Sequence, residues 1–436
     1  MTIDRLFTLA GNFAGAGGQI ANNSANNSTL ILNKTNALTF APGLTNAQTL
    51  TLGGTSTGDS QINLQLVDNG ALATSVNKIG AGMWVLGNAT NNYTGATTVS
   101  AGVLQASSGT TLPGTSNLVF AGGVFQTAGA LNRTLGTGAG QLNWTANGSG
   151  GFASAGSKLT VDFGSSPTWG STANFLGTGN LILGSATSLG EVEMVSGFAI
   201  SQGLAASVNA TTTAGSATVN LTSGTTAGLT IGQVISGNPN IPANATIATI
   251  VSSTQFTLNS GTGVTAATGI ATSIAAGGVR QIQVDDNATT AADFATITGV
   301  ISGTGNLTKT GAGTLQLFGA NTYSGVTAVT AASTLVVNSL GNSATPGVGT
   351  SVGTSTNANL ATNALTLGNG GTTAGILQYV GPGETSDRMI RLNTTTGTTQ
   401  IHADGTGPLV LTNVLNDMAA GAMTLHLRGS ITLGNT

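Results

Sequence analysis

Two stretches of this chain, 78–105 and 307–338, are copies of one another, and an internal repeat of about thirty residues restricts the fold more than any other feature. The later copy reads LTKTGAGTLQLFGANTYSGVTAVTAASTLVVN. Two alternating apolar runs, Thr314–Leu317 and Val326–Val329, flank the turn-rich segment Gly319–Gly325, and a third run, Thr334–Val337, follows an Ala-Ala-Ser break. The earlier copy reads KIGAGMWVLGNATNNYTGATTVSAGVLQ. Lys78 matches Lys309, Gly80 and Gly82 match Gly311 and Gly313, and Tyr93 and Gly95 match Tyr323 and Gly325, with Asn321 in the preceding corner. The earlier copy carries one extra residue in that Asn-rich corner, where a loop absorbs it. Three short period-2 strands joined by Gly and Asn corners are what one coil of a β-solenoid requires.

These same residues resemble the autotransporter-associated β-strand repeat of bacterial surface proteins. The second copy follows that pattern over its whole length. The first departs where Met83-Trp84-Val85-Leu86 stands in place of Thr-Leu-x-Leu, and in its longer corner. The resemblance implies a right-handed parallel β-helix displayed outside the cell, and it is nearly silent about activity.

Only 5% of the 436 residues are charged, against ~25% in ordinary soluble domains. Disorder does not follow, because 39% of the chain is hydrophobic and disordered segments combine high charge with low hydrophobicity. Thr, Ser and Asn therefore make the surface polar. That suits stacked coils, where like charges in one row would repel and Thr or Asn rows can form hydrogen-bonded ladders. A net charge of −3 gives no footprint for nucleic acid. The absence of cysteine excludes disulfides, thiol catalysis and thiolate-bound metals. No apolar run approaches the ~20 residues of a helical membrane span. The N-terminal MTIDRLFTLAGNFAGAGG lacks the charged and apolar regions of a signal peptide, so the chain reads as a mature or excised piece of a secreted protein.

Short alternating runs with turns every ten residues or so continue along the chain, as in Leu50-Thr51-Leu52 and Ile376-Leu377-Gln378-Tyr379, too short and regular for helices. Thr289–Ala295 is the best helical candidate, for one or two turns at most. One segment breaks the pattern. Residues 205–274 resemble a small all-β module inserted in bacterial and phage surface proteins, and low-complexity flanks at Thr211–Thr213 and Thr262–Thr272 read as flexible joints. The predicted organisation is therefore an all-β chain: a right-handed parallel β-helix over 1–204 and 275–436, interrupted by an inserted all-β domain at 205–274. The last residues, GSITLGNT, stop where another repeat is expected to begin, and uncapped coils expose backbone edges that a second copy could satisfy.

β-Helix enzymes that cut polysaccharides need clustered acids with cations nearby. Glu191 and Glu193 share a strand face, but no His, Lys or Arg is near them in sequence, and the expected role is a solvated outer face. Asp285-Asp286-Asn287 is expected to cap a turn rather than to bind calcium. His402 and His426 alternate with apolar neighbours and are expected to point outward. Arg133, Arg280 and Arg388 recur at similar pattern positions and are expected to bond corner carbonyls. Tyr93 and Tyr323 are expected to cover the end of a coil rather than to stack on sugars. Lys78, Gly80, Gly82, Tyr93, Gly95, Lys309, Gly311, Gly313, Asn321, Tyr323 and Gly325 are thus structural motif residues, with no catalytic, cofactor-binding or metal role. The expected function is non-enzymatic: an extracellular scaffold, adhesin stalk or fibre subunit that self-associates end to end, with a glycan or a neighbouring cell surface as partner. The alternative is a carbohydrate-active β-helix enzyme using the acids near Glu191 or Asp285.

Overall fold

The computed structural model describes residues 1–13, 15–25, 28–145, 148–201, 206–226, 229, 233, 235–242, 245–274, 280–330, 332–342, 349–354, 365–372, 374–413, 415–417 and 422–429. All regular structure among them is β. The helical expectation at 289–295 is not met. There the Asn287 carbonyl accepts from Thr290 N–H at 2.9 Å, the Asn287 Oδ1 accepts from Thr289 N–H at 3.2 Å, and the Asp293 carboxylate accepts from Asn287 N–H at 2.5 Å. Such side-chain bonds to nearby backbone compete with helix and leave a turn.

Contacts group the chain into two compact units. The first comprises 1–165, 180–196 and 283–296. One parallel ladder runs through Gly17–Ala21, Gln48–Gly53, Thr74–Lys78, Thr97–Val99, Leu118–Phe120 and Leu142–Trp144. A second runs through Thr2–Ile3, Ile31–Leu32, Ser60–Ile62, Met83–Leu86, Val103–Gln105, Val124–Asn132 and Gly150–Asp162, and the last of these also carries Leu181–Leu183 and Glu191–Met194. Because side chains alternate across each strand, one set from every rung faces inward. Trp84, Leu104, Phe125 and Phe152 are opposite one another on successive rungs and are at most 2% exposed. Trp144 packs edge-on against Phe152 at 5.9 Å, which adds aromatic contact energy to the area buried. Around the first motif copy the coil is short. Thr97 pairs with Val76, 21 residues before it, and with Leu118, 21 residues after it.

The second unit comprises 166–179, 197–282 and 297–436. Its rungs again form parallel ladders: Leu307–Thr310, Thr327–Val329, Leu365–Leu367, Ile390–Leu392 and Leu415–Asp417 in one, and Thr314–Leu317, Thr334–Val337, Ile376–Tyr379, Thr398–Ala403 and Thr424–Gly429 in the other. It also holds a six-stranded antiparallel sheet in the order Ile235–Ser236, Ala267–Ile274, Ala206–Thr212, Thr218–Ser223, Gln255–Leu258, Ile247–Ser252. Val208, Val219, Leu221, Ile247, Phe256 and Ile274 belong to a core of its own. Of the flanks expected to be flexible joints, Thr211–Thr212 and Ala267–Thr272 lie in its paired central strands. Thr212 bonds the Thr265 carbonyl at 2.6 Å, and Ala206–Thr212 runs antiparallel to Ala267–Ile274. The β-branched Thr and Ile of these stretches favour strands, and the antiparallel partner strand fixes them there. Between Glu193 and Arg280 there is no Asp, Glu, Lys, Arg or His.

Candidate functional site

Each motif copy closes a corner around one buried cation. Lys78 is 0% exposed, and its ammonium donates to the carbonyls of Ile79 at 2.9 Å, Gly80 at 2.7 Å and Ala101 at 2.9 Å. Burial lowers its pKa to about 8, since taking a charge out of water disfavours the charged form. Lys309 is 1% exposed and donates to the carbonyls of Thr310 at 2.7 Å and Gly311 at 2.8 Å. The chain turns tightly enough there to demand glycine. Gly80 has φ +74°, and a Cβ on it would sit 2.3 Å from the Gly54 carbonyl oxygen of the preceding coil. A Cβ on Gly325 would sit 2.0 Å from the Gly305 oxygen.

The Asn-rich corner is a hydrogen-bonded staple between coils. Asn321 is fully buried. Its Oδ1 accepts from Ile301 N–H at 2.7 Å and its Nδ2 donates to the Ser351 carbonyl at 2.8 Å. Asn91 repeats this arrangement, accepting from Leu66 N–H at 2.8 Å and donating to the Thr111 carbonyl at 2.8 Å. Asn91 was not singled out from sequence, because the extra residue in that corner hides which asparagine corresponds to Asn321. Its place two residues before the tyrosine was the available signal.

The tyrosines do not cover the end of a coil but lie inside it, both 0% exposed. The Tyr93 hydroxyl bonds Thr97 Oγ1 at 2.8 Å, and the Tyr323 hydroxyl bonds Thr327 Oγ1. Burial pushes both phenols well above their ordinary range. Such rings offer no face to a sugar. The three arginines bond corner carbonyls. Arg133 donates to Ser116 at 2.7 Å and Pro113 at 3.3 Å, Arg280 to Gly177 at 3.3 Å and Ser201 at 3.0 Å, and Arg388 to Leu340 at 2.9 Å and Gly353 at 3.0 Å.

The acids considered for catalysis are arranged differently from their sequence surroundings. Lys158 is opposite Glu191 and Thr160 opposite Glu193 in parallel register, so the Lys158 ammonium reaches both carboxylates, at 3.2 Å and 3.0 Å. The hydrogen bond to Glu193, together with Glu191, holds the Lys158 pKa above its ordinary value. The cation that sequence reading did not find comes from the neighbouring rung. Asp285 and Asp286 are not gathered with Glu191 or Glu193 into a metal-binding group among the described residues. Asp285 accepts from Gln283 at 2.8 Å, and burial raises the Asp293 pKa. His426 is opposite Gln400, and His402 opposite Arg428, so the two imidazoles share a face without meeting. A cleft of about 230 Å3 in the first unit is walled by residues that include Val85, Gln105, Ser107, Thr111 and Thr127, none of them charged.

Comparison with known proteins agrees with the corner geometry. Residues 76–106 and 307–337 each match the family model of the passenger-associated-transport-repeat. An 81-residue stretch is 41% identical to the adhesin BmaC autotransporter of Brucella suis biovar 1 (strain 1330); it is 19% of this chain and 2% of that protein's length. No solved structure matches the chain.

Proposed function

We propose that this chain, a carrier of two passenger-associated-transport-repeats, is part of a passenger displayed at the cell surface or in the extracellular space, and that its work is structural and adhesive rather than catalytic. On this reading the parallel rungs form a right-handed β-helix over 1–204 and 275–436. Residues 205–274, whose sheet is antiparallel and has its own core, form an inserted all-β domain. The motif residues from Lys78 to Gly95 and from Lys309 to Gly325 are then coil-closing groups, with no role toward a ligand.

The observation that carries the reading is where the polar groups go. Lys78, Asn91, Tyr93, Lys309, Asn321 and Tyr323 are all 8% exposed or less, and each is used in bonds that tie the coils. A carbohydrate-active enzyme has less support: Glu191 and Glu193 share one lysine as partner instead of flanking an open cleft. The resemblance to an autotransporter adhesin favours contact with a cell surface or glycan, and the ladder edges favour end-to-end association of copies.

The chain displayed on a non-adherent bacterium should confer attachment to host or neighbouring cells, and Glu191→Gln with Glu193→Gln should leave attachment unchanged. Turnover of an acidic polysaccharide that disappears in the double variant, with no attachment, would overturn the proposal. For self-association, electron microscopy of concentrated protein should show end-to-end chains; monomers throughout would remove that part.

A further inference from the structure

Both motif clusters share a partner that lies beyond the repeat. In the first unit it is the segment 111–116, in the second 349–354. Neither segment contains a strand, yet Leu112 and Ser116 are 0% exposed, and Ser351 and Val352 are 1% and 2% exposed. Each segment is held by equivalent side chains. Asn91 donates to the Thr111 carbonyl as Asn321 does to that of Ser351, both at 2.8 Å. The Tyr93–Thr97 pair reaches Ser116 Oγ at 2.8 Å, and the Tyr323–Thr327 pair reaches the Val352 carbonyl at 3.3 Å. A later arginine closes the third side: Arg133 on Ser116, Arg388 on Gly353. Thr111 and Ser351 correspond as acceptors of the asparagine, while the threonine bond falls on Ser116, five residues on, in the first copy and on Val352, one residue on, in the second.

What differs is the length of chain around the held segment. Strand Val103–Gln105 is separated from Thr111 by 106–110, whereas Thr334–Val337 is separated from Ser351 by 338–350. On the far side, 113–117 precede Leu118 but 353–364 precede Leu365. The ladder nonetheless resumes in the same relation, Leu118–Phe120 on Thr97–Val99 and Leu365–Leu367 on Thr327–Val329.

We infer that each repeat copy builds a socket, made of its Asn, its Tyr–Thr pair and a downstream Arg, which clamps a short non-strand segment so that the coil can gain or lose residues beside the clamp without losing register. The asparagine bond is the same in both copies, and the threonine and the arginine reach the held segment in both, while closing a longer loop costs free energy only as the logarithm of its length. The chain beside the socket is thus where this protein accommodates added segments. A corner without a socket is not. At Gly122, for example, a Cβ would sit 2.4 Å from the Ser100 oxygen of the previous coil.

The test is an insertion of about ten Gly/Ser residues in the full chain, either after Gly109, where a Cβ would meet nothing within 4 Å, or after Gly122. Amide exchange of Thr97–Val99 and Leu118–Phe120 reports coil opening. After Gly109 the loop-length contribution is about fivefold, from lengthening the loop roughly threefold; the local turn bonds from Gly109 N–H to the Leu112 carbonyl and from Thr110 and Leu112 N–H to the Ser107 carbonyl add to it, and the total is expected to stay well below that after Gly122. After Gly122 it is on the order of a hundredfold or more, because corner hydrogen bonds are lost. Combined with Asn91→Ala, the Gly109 insertion should accelerate exchange well beyond the product of the separate effects. Arg133→Lys, which keeps the charge and loses the forked geometry, supplies a milder background with the same expected direction. The inference is overturned if the two insertions open the coil equally, or if the Gly109 insertion combines multiplicatively with both Asn91→Ala and Arg133→Lys.

Discussion

Replacing Asn321 with Ala should unfasten three consecutive coils at one point. The amide joins Ile301 N–H on one side to the Ser351 carbonyl on the other, at 2.7 and 2.8 Å, and the side chain is 0% exposed. Truncation leaves a donor and an acceptor without partners where water does not reach. Each orphaned group costs about 1–3 kcal/mol, so the local loss is about 2–6 kcal/mol. At 1.36 kcal/mol per tenfold, the middle of that range corresponds to roughly a thousandfold faster amide exchange by opening. Native-state hydrogen exchange read by mass spectrometry on peptides covering 299–303 and 349–354 gives the number directly. Asn321→Asp separates the two bonds. It keeps an acceptor toward Ile301 but sets a carboxylate oxygen against the Ser351 carbonyl, so it should be comparably damaging at neutral pH. It should recover in acid, once its hydroxyl can donate. Thr322→Ala, one residue on and solvent-facing, is the control. If exchange at Ile301 in Asn321→Ala matched that control within about threefold, the staple would carry no free energy and the account of the corner would be wrong.

Three further outcomes follow from the same geometry. Burial holds the Lys78 pKa near about 8 in the folded chain against 10.5 ordinarily; the folded state then binds fewer protons than the unfolded state between those values, so stability should rise with pH across that window. Lys78→Met should flatten that rise in urea titrations, and an unchanged slope would assign it to other groups. Gly325→Ala places a Cβ 2.0 Å from the Gly305 oxygen and should cost at least about 1–3 kcal/mol by overpacking; a thermal midpoint equal to that of the parent would refute the close approach. The sheet of 206–274 has no ionisable side chain, so its amide chemical shifts should hold between about pH 4 and 10; a titrating shift inside the sheet would show contact with a charged segment.

The strands and corners were legible because their signals are local. Alternation in Thr314–Leu317 and the glycines beside Lys309 need no knowledge of the rest of the chain. The carbonyl-binding arginines were legible too, since a guanidinium among Gly-rich corners has few other partners. What escaped depends on register between distant rungs. Lys158 meets Glu191 and Glu193 only because Gly150–Asp162 runs for 13 residues in all, longer than its neighbours, and nothing in GGFASAGSKLTVD announces that extension. The Thr-rich flanks of 206–274 failed for a related reason: the same composition serves a linker or a strand, and the partner strand decides. Asn91 was hidden by a single inserted residue. Asn321, in the shorter corner, was not.

The uncharged sheet has a practical consequence for anyone looking for this protein. With no lysine or arginine between Lys158 and Arg280, trypsin can release that whole span only as a single fragment. Surveys of surface proteins by tryptic mass mapping would therefore under-count this chain, and proteases that require a charged residue at the cleavage point find none in the sheet to attack.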